Sequence, residues 1–600
     1  MYKIDKREYS FTIVSQVSMS ETILSAKFKS YDRYYKDWDL FNINTLEKLD
    51  KTKYRINPIE SRLLNHDIIT INENGELNEV IYSTYTEKYT ICGILIFDKM
   101  YGSIGKKYYF KFIPDDIRLP EFIVPYKLSK VGFYKKEKSK YTIIHFDRWT
   151  LNDIHPVGKI INIIGDVDKL ENLYEYQLYC KSLHSSIREI TTKANKVLKE
   201  NTEDILIHKV LENYTVQDRT LWNIITIDPN TTKDYDDAFS YKKLENNTEM
   251  LSIYISNVVL WMDVMNLWGS FSERISTIYL PDRKRPMLPS ILSDALFSLK
   301  EDKKRFAFTI DILVKDTKII DYTFSNSLIK VSKNYTYEED KTSLLGERTY
   351  TKTFNLISSL NRKKDTKFCD DIKDSHDIIT YLMILMNYYS AKTLETYQDG
   401  IYRVLKTLVI DEERKKKIEN LPSSIKNFVW GWNSHGGKYM LYNKEFINHD
   451  ILNLDVYIHI TSPIRRLVDM LNIIKIQHLL GLYKMSHEMN VFYTKWTTRE
   501  KMEYINNCMR SIRHIQNDCH ILHLCFHDEN ILQNKHIGYI IEKIKRNDEM
   551  FHYIVYIPSL KFITSYVNTS EYNIFQQLNF KLYLFKDEFN IKRKILIDIH

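Results

Sequence analysis

The chain has 600 residues, 44% of them hydrophobic, and a formal net charge of +8 at pH 7. A chain of this length is too long for one hydrophobic core and is expected to form several domains. The small excess of positive charge permits a nucleic-acid partner but does not establish one. With 15 glycines, the sequence offers neither a glycine-rich linker nor a dinucleotide-binding glycine loop.

The cysteines and the apolar runs indicate the compartment. The six cysteines include no CxxC pair, which is typical of reduced intracellular thiols and not of a disulfide framework. The N-terminal MYKIDKREYS lacks the apolar stretch of a secretory signal, and no apolar run reaches the ~18 residues of a membrane span. We therefore expect a cytoplasmic protein with no membrane partner.

In chain order, the predicted elements divide the sequence into three parts. Residues 1 to about 180 carry short runs such as YTICGILIF and KYTIIHF, which predict small β-barrels. A mixed α/β block follows, with an amphipathic helix over 185–205, a long helix over 376–398 and a second helical region over 463–526. The final segment, after about residue 530, returns to β-type runs.

The stretch TIDPNTTKDYDDAF gathers four aspartates in a short segment: Asp228, Asp234, Asp236 and Asp237. The preceding NIITI predicts a buried strand that ends at Asp228, and PNTTK predicts a turn. If DYD is extended, Asp234 and Asp236 share one face while Asp237 points away. A loop that folds back could bring Asp228 to the same place.

Clustered carboxylates raise one another's pKa unless a cation offsets the repulsion. Oxygen ligands suit a hard cation such as Mg²⁺ or Mn²⁺. Two such ions about 4 Å apart can hold the attacking and leaving oxygens of a phosphoryl displacement. The alternative is a solvent-facing acidic turn. A calcium EF-hand is excluded because the central glycine and the closing glutamate of that loop are missing.

Two further stretches carry a family resemblance. They are HITSPIRRLVDML over 459–471 and YLPDRKRPMLPSILSDALFSLKEDKKRFAFTI over 279–310. With IDPNTTKDYDDAF, they resemble the motifs of the ribonuclease II / ribonuclease R family, the RNB-domain exoribonucleases. Segments 108–126 and 155–166 resemble the second cold-shock-type barrel of eukaryotic members, and the resemblance covers roughly residues 90–530.

The resemblance implies a multidomain α+β fold. A central mixed α/β RNB domain over 181–530 would be flanked by small OB-type barrels, cold-shock-like over 1–80 and 81–180 and S1-like over 531–600. The implied activity is processive 3′-to-5′ hydrolysis of single-stranded RNA to nucleoside 5′-monophosphates, dependent on two Mg²⁺ (or Mn²⁺) ions. A monomer is expected, without the N-terminal nuclease domain that tethers some relatives to the exosome.

The resemblance also implies roles at the reacting phosphate. Asp228, Asp236 and Asp237 would be direct metal ligands, and Asp234 a ligand or a water-mediated partner. Asp236, Asp234 and Arg465 would form the catalytic group, in which the Arg465 guanidinium stabilises charge developing on the scissile phosphate.

Three side chains would contact RNA, and each has a structural alternative. Tyr279 would stack on the 3′-terminal base, a contact that contributes about 1–3 kcal/mol, or it is an ordinary core tyrosine. Arg466 would bind a phosphate or pair with an acid. Arg403 would contact RNA or form a core ion pair.

Cysteines and histidines crowd into one segment, among them Cys508, Cys519, His520, His523, Cys525 and His527. Their spacing matches no familiar zinc finger, and we expect buried thiols and surface histidines.

Several positions depart from the family pattern: Asn257, Thr380, Tyr381, Leu467, Ile473, Ile474 and Gln516. The departures leave the four aspartates and Arg465 in place. Two alternatives to an active exoribonuclease stay open: an RNB fold that binds RNA without turnover, and an enzyme that cuts DNA or internal bonds.

Overall fold

The structure is a computed structural model of the chain. It describes residues 24–85, 89–105, 107–128, 137–338, 341–363, 367–369, 371–407, 411–432, 434–546, 548–586 and 593–600. Residues 1–23 of the predicted first barrel, with MYKIDKREYS, lie outside the described residues. The chain forms two compact units, residues 1–180 with 586–593 and residues 181–585 with 594–600.

The first unit begins with a five-stranded antiparallel sheet in the order β3-β2-β1-β4-β5. Its strands are β1 (Leu24–Ser30), β2 (Trp38–Asn42), β3 (Lys48–Leu49), β4 (Ile68–Ile71) and β5 (Leu77–Tyr82). Alternate residues of β1, Ala26 and Phe28, are fully buried against Leu40 and Ile69. This alternation is the pattern of a sheet with one covered face.

A closed five-stranded barrel follows in the same unit, in the order β10-β8-β7-β6-β9. Its strands are β6 (Thr90–Ile104), β7 (Lys107–Pro114), β8 (Phe122–Tyr126), β9 (Lys140–Arg148) and β10 (Val157–Asp166). Gly93 is required in β6, because a Cβ there would lie 2.3 Å from the carbonyl oxygen of Ile113. Helix α1 (Leu170–Cys180) packs on the barrel, where Tyr176 stacks on Tyr141 with ring centroids 4.4 Å apart.

The second unit is built on a seven-stranded sheet in the order β11-β18-β17-β14-β13-β12-β19. The strands are β11 (Gln217–Arg219), β12 (Ile225–Asp228), β13 (Asp237–Lys243), β14 (Thr248–Ser256), β17 (Lys304–Lys315), β18 (Lys318–Lys330) and β19 (Lys333–Thr336). The strand predicted from NIITI is confirmed as β12, which ends at Asp228. Residues 305–312 of β17 are buried without interruption, as expected of a strand covered on both faces.

Two small hairpins accompany this sheet, β15 (Ile278–Tyr279) with β16 (Lys284–Arg285), and β20 (Ile401–Thr407) with β21 (Ser434–Leu441). The helices are α2 (Arg188–Glu200), α3 (Glu203–Asn213), α4 (Val258–Val264), α5 (Lys341–Gly346), α6 (Arg348–Asn361), α7 (Ser375–Thr396), α8 (Glu412–Glu419), α9 (Ser423–Trp432), α10 (Leu467–Leu479), α11 (His487–Trp496), α12 (Arg499–His527) and α13 (Glu529–Gln533). Among the described helices, none is both long enough and apolar enough to cross a bilayer.

The helix predicted over 376–398 and the helical region over 463–526 are confirmed as α7 and α10–α12. The single helix predicted over 185–205 is wrong, because α2 ends at Glu200 and a new helix begins at Glu203. Thr202 has extended backbone, and its side-chain oxygen accepts a hydrogen bond from the Ile205 amide. A capping threonine thus starts α3 where the apolar periodicity suggested continuation.

The second unit also holds a C-terminal sheet in the order β24-β23-β22-β25-β26. Its strands are β22 (His536–Lys545), β23 (Phe551–Ile557), β24 (Phe562–Asn568), β25 (Gln577–Lys586) and β26 (Arg593–Ile599). Helix α9 covers this sheet, with Ile425 and Val429 clustered on Ile541 and Phe428 stacked on Tyr556 at 3.6 Å between centroids. The domain limits given in the sequence analysis stay predictions.

Candidate active site

The acidic segment turns between two neighbouring strands of the seven-stranded sheet. Asp228 is the last residue of β12 and Asp237 the first of β13, and these strands run antiparallel with Ile225 opposite Phe239. The connecting loop carries Asp236, whose carbonyl accepts a hydrogen bond from the Ser256 amide at 2.8 Å. The chain reversal therefore brings the two ends of the segment together.

Three of the four carboxyl groups have raised pKa values. Burial raises the pKa of Asp228 to about 8, and the charges of Asp237 and Asp236 add to the shift. Burial likewise raises the pKa of Asp236 to about 7 and that of Asp237 to about 6. Asp237 starts β13, and its charge acts on Asp228; the expectation that it points away from Asp234 and Asp236 stays a prediction.

Asp236 is the most firmly held of the four, with 4% of its surface exposed. Its Oδ1 accepts a hydrogen bond from the Ile464 amide at 3.1 Å, and its Oδ2 accepts one from Arg465 Nε at 3.2 Å. Arg465 Nη2 also donates to Ser462 Oγ at 2.9 Å. The Arg465 side chain nevertheless stays 45% exposed, so part of the guanidinium is available to a ligand.

The β15–β16 hairpin lies against the same turn. The Thr277 amide donates to the carbonyl of Arg465 at 3.0 Å, which ties the strand before Tyr279 to the PIRR turn. Tyr279 is 43% exposed, and burial of its remaining surface together with the charge of Asp234 raises its pKa to about 12. An exposed aromatic ring beside the acids is compatible with the predicted stacking on a base.

Asp234 takes part in an ion pair that the sequence analysis missed. Lys284 Nζ lies 2.9 Å from Asp234 Oδ1 and 3.0 Å from Asp294 Oδ1. The partners are 50 and 10 residues away from the lysine along the chain. The sequence shows a basic residue within YLPDRKRPMLP, but it does not show which acids that residue pairs with.

The sequence left two alternatives open for Arg466 and for Arg403. Arg466 Nη2 donates to Asp469 Oδ1 at 2.7 Å, and the Asp469 side chain is 0% exposed, so Arg466 pairs with an acid. Arg403 lies 5.0 Å from the centroid of the Tyr439 ring and donates to the carbonyl of Gly437. Within the described chain its contacts include no carboxylate, so the predicted core ion pair is wrong.

A stacked aromatic pair at the edge of the acids was also missed. The Tyr337 amide donates to the Asp228 carbonyl at 3.0 Å, because β19 runs parallel to β12. The Tyr337 ring stacks on His376, with centroids 3.7 Å apart and planes 10° apart. Burial raises the pKa of Tyr337, and the charges of Asp237 and Asp228 add to the shift. No pattern in the sequence singled out this tyrosine.

The acids provide the donor chemistry of a hard cation site. All their ligand atoms are oxygens, and Asp228 Oδ2 is buried without a hydrogen-bond partner. In the described chain, no three His, Cys, Asp or Glu side chains form a ready-made metal cluster. The reason at this site is that Asp236 is turned to Arg465 and Asp234 to Lys284. Asp228, Asp236 and Asp237 thus supply carboxylate oxygens of the kind that a hard cation prefers, and their role as ligands stays a prediction.

The family departures lie mostly in packed positions. Asn257 is fully buried and donates to Asn326 Oδ1 at 2.9 Å in an amide network. Ile473 and Ile474 are fully buried in α10, and Tyr381 in α7. These residues contribute to the core around the site, and none of them replaces one of the four aspartates or Arg465.

Comparison with known proteins agrees with the motifs. The chain matches the RNB domain model over residues 216–364 and 340–481, and the Dis3-like cold-shock domain 2 model over 109–176. These segments of the chain are similar to the RNB-domain family. The predicted family and the predicted fold class, an RNB domain with OB-type barrels, are therefore confirmed.

Curated relatives share about a quarter of the aligned residues. The chain is 25% identical over 315 residues to DIS3-like exonuclease 2 of Schizosaccharomyces pombe, covering 50% of this chain and 32% of the relative. It is 25% identical over 232 residues to ribonuclease R of Thermotoga maritima, covering 38% of this chain and 31% of the relative. The chain thus spans about a third of the length of these RNB-family relatives.

Solved structures share the fold. Mycoplasma genitalium RNase R in complex with ribose methylated single-stranded RNA matches with a TM-score of 0.64 at 14% identity, covering 96% of this chain and 100% of that one. Yeast Ssd1, described as a pseudonuclease, matches with a TM-score of 0.52 at 13% identity, covering 90% of this chain and 78% of that one. At these identities the likeness shows the RNB-type fold alone.

Proposed function

We propose that the chain is a processive, hydrolytic 3′-to-5′ exoribonuclease that converts single-stranded RNA to nucleoside 5′-monophosphates. The observation that carries the proposal is the buried Asp236, which binds Arg465 beside two further carboxyl groups of raised pKa. Burying mutually repelling acids costs stability, and functional sites are where such shifted groups concentrate. The ribonuclease R and exonuclease relatives support the same assignment.

In this proposal, Asp228, Asp236 and Asp237 hold a divalent cation, Mg²⁺ or Mn²⁺. When bound, the cation supplies Lewis-acid activation of the phosphate and of the attacking water. Asp236 also orients Arg465 through the bond to Nε. The exposed remainder of that guanidinium stabilises negative charge on the scissile phosphate.

Tyr279 contacts the terminal nucleotide of the RNA in this proposal. Its half-exposed ring is fixed to the PIRR turn through the hairpin and offers a stacking surface for a base of any identity. Stacking at this position would hold the terminal nucleotide while Arg465 contacts its phosphate. A monomeric state and a cytoplasmic location belong to the same proposal.

The test compares RNA with DNA and the wild type with one matched pair of variants. Single-stranded RNA and DNA of one sequence, labelled at the 5′ end, are incubated with Mg²⁺ and wild type, Asp236→Asn or Asp371→Asn. Asp371 is an exposed aspartate outside the site and controls for loss of a charge. We expect the RNA to shorten from its 3′ end with monophosphate release, in the wild type and in Asp371→Asn but not in Asp236→Asn.

A second candidate is an RNB fold that binds RNA without turnover. The pseudonuclease Ssd1 has the same fold, and here Asp236 and Asp234 are already paired with basic side chains. Binding of the RNA by the wild type without any release of monophosphate would favour this candidate. Internal cuts, or equal degradation of the DNA, would contradict both.

A further inference from the structure

Arg403 is a partly buried cation whose contacts in the described chain are neutral. It lies on β20 opposite Tyr439 of β21, and its guanidinium is 5.0 Å from the centroid of the Tyr439 ring. The same guanidinium donates a hydrogen bond to the carbonyl of Gly437. An ionised group that is withdrawn from water without an opposite charge is unfavourable. The arrangement therefore calls for an anion that the described residues do not supply.

Gly437 gives the guanidinium its place on the ring. A Cβ at this position would lie 2.7 Å from Arg403 Nη2 and 2.8 Å from its Cζ. Any side chain there would displace the end of the arginine. The backbone of Gly437 does not have the left-handed conformation that favours glycine. Gly437→Ala is thus a variant that moves the Arg403 charge without removing it.

A second arginine reaches the same place from helix α12. Asn506 fixes this helix to β21, because its side chain donates to the carbonyl of Tyr439 at 2.8 Å and accepts from the Tyr439 amide at 2.8 Å. Arg513 follows Asn506 by about two turns on the same helix face. Burial lowers the pKa of Arg403, and the charge of Arg513 lowers it further. The two guanidinium groups therefore act on each other across Tyr439.

The Arg403–Arg513 pair lies beside the turn that carries Arg465. The Tyr439 hydroxyl and His459 Nδ1 share a hydrogen bond at 2.8 Å, and His459 begins the HITSPIRR stretch. The next arginine of that stretch, Arg466, already has a carboxylate partner. Arg513 is exposed, and within the described residues no carboxylate pairs with it or with Arg403. Two positive charges are thus available to a ligand that also reaches Arg465.

We infer that Arg403 and Arg513 bind one internucleotide phosphate of the RNA strand, on the 5′ side of the linkage that Arg465 contacts. The inference rests on the proposed function, because it takes RNA as the ligand. A guanidinium matches the geometry of phosphate oxygens and can bind two of them at once. A contact with the phosphate carries no base preference, so it would fix the position of the strand for any sequence.

The test measures binding of a short single-stranded RNA in the Asp236→Asn background, where turnover is not expected. Arg403→Gln and Arg513→Gln should each weaken binding about tenfold, the loss of a charge-assisted hydrogen bond. Gly437→Ala should weaken it in the same direction, although it leaves every charge in place. Arg499→Gln removes an arginine of α12 whose side chain is 93% exposed, and this control should bind as its parent does.

A scan of the RNA backbone identifies the phosphate. The internucleotide phosphates are replaced one at a time by neutral methylphosphonate, with a 2′-O-methyl group at the same nucleotide in modified and unmodified strands. One replacement on the 5′ side of the scissile linkage should weaken binding about tenfold with intact Arg403 and have little further effect in Arg403→Gln. At the other linkages the two losses should add.

Three results would overturn the inference. They are additive losses at every linkage, coupling at the scissile linkage alone, and unchanged affinity in Arg403→Gln and Arg513→Gln. Thermal melting shows whether each variant is folded. If Arg403→Gln is not folded, the same scan with Arg513→Gln decides the question, because Arg513 is an exposed residue of α12.

The outcomes keep the two proposals apart. If the wild type releases monophosphate from RNA but the arginine variants bind RNA as their parent does, the inference fails while the exoribonuclease stands. If the scan shows the coupling and the wild type releases no monophosphate, the exoribonuclease fails and the phosphate site stands. A chain that does not bind RNA contradicts both.

Discussion

Two segments of this chain have the residue types of a metal site, and the fold treats them in opposite ways. The acids at 228–237 lie on a strand, a reversing loop and the next strand, so the chain reversal brings Asp228 close enough to Asp236 and Asp237 for their charges to act on it. The cysteines and histidines at 508–527 lie on the single helix α12. A helix distributes neighbouring residues around its axis, whereas a chain reversal brings them together.

The thiols of α12 show what that difference means chemically. Cys508, Cys519 and Cys525 are buried on the core side of the helix, and burial raises the pKa of Cys519 to about 12 and that of Cys525 to about 11. Zinc binds the thiolate, which such burial disfavours. The expected buried thiols are therefore confirmed, and a local count of ligand-type residues predicts a site only where the backbone makes them converge.

The largest effect is expected from Asp236→Asn. Losing this charge removes a proposed ligand and the partner of Arg465, so monophosphate release should fall by about 10³-fold or more. Cys519→Ser, the comparable change in α12, should leave turnover unchanged. The measurement is the initial rate on uniformly labelled single-stranded RNA, and an inactive Cys519→Ser beside an active Asp236→Asn would reverse the comparison.

Arg465 and Arg466 should separate catalysis from stability. Arg465→Ala is expected to lower kcat by about 10²–10³-fold, because the half-exposed side chain faces the acids, and also to lower stability, because it removes the cation beside the buried Asp236. Arg466→Ala should cost about 3–5 kcal/mol of unfolding free energy, since it strands the fully buried Asp469. Urea melts and kcat on the same preparations test both; a stable but inactive Arg466→Ala would place that arginine on the RNA instead.

Tyr279→Ala should weaken RNA binding by about 1–3 kcal/mol if the ring stacks on a base. Tyr279→Phe keeps the ring and should bind as the wild type does. Tyr397→Ala removes another exposed tyrosine, at the end of α7, and serves as the control. The measurement is the affinity for a short RNA in the Asp236→Asn background, and equal affinities for all three variants would make Tyr279 an ordinary surface residue.

Asp228→Asn should stabilise the metal-free protein. The folded pKa of Asp228, about 8, lies above its ordinary value of 3.8, so the folded state binds more protons across that window and stability falls as pH rises. Removing the charge should therefore raise Tm by a few degrees at pH 8, on the order of 1–2 kcal/mol, and by less at pH 5. Thermal melts in EDTA at pH 8 and pH 5 test this prediction, with Asp371→Asn as the control. A lower Tm for Asp228→Asn at pH 8 would mean that the Asp228 charge does not destabilise the folded protein.

The smallest effect is expected on the zinc content of the protein when Cys519 is replaced. If the cysteines of α12 are packing residues, the metal content of the purified protein should be equal in the wild type and in Cys519→Ser. Zinc bound stoichiometrically to the wild type and lost in Cys519→Ser would contradict the contrast between the two segments.

The features that the sequence predicted are those that depend on local residue patterns and on the order of motifs. The strand ending at Asp228, the helix α7 and the position of the acids beside an arginine turn all follow from apolar runs and motif order. Arg466 was ambiguous because a guanidinium is satisfied equally by phosphate or carboxylate, and RRLVD does not say which one is present.

The contacts that the sequence could not give are long-range. Lys284 reaches Asp234 across 50 residues, and Tyr337 comes to Asp228 through the parallel pairing of β12 with β19. Neither contact changes the hydrophobic periodicity of the segments that make it, so the sequence pattern does not reveal it. The ion pairs of Asp234 with Lys284 and of Asp236 with Arg465 therefore became visible only once the strands were in place.

The central claim, that the acids near residue 230 form a cation site facing Arg465, is tested most directly by anomalous diffraction from crystals soaked in Mn²⁺. The account predicts a peak within direct coordination distance, about 2.1 Å, of carboxylate oxygens of Asp228, Asp236 and Asp237, on the side open to the Arg465 guanidinium. A peak elsewhere, or none at these oxygens in Mn²⁺ concentrations that support RNA degradation, would contradict it.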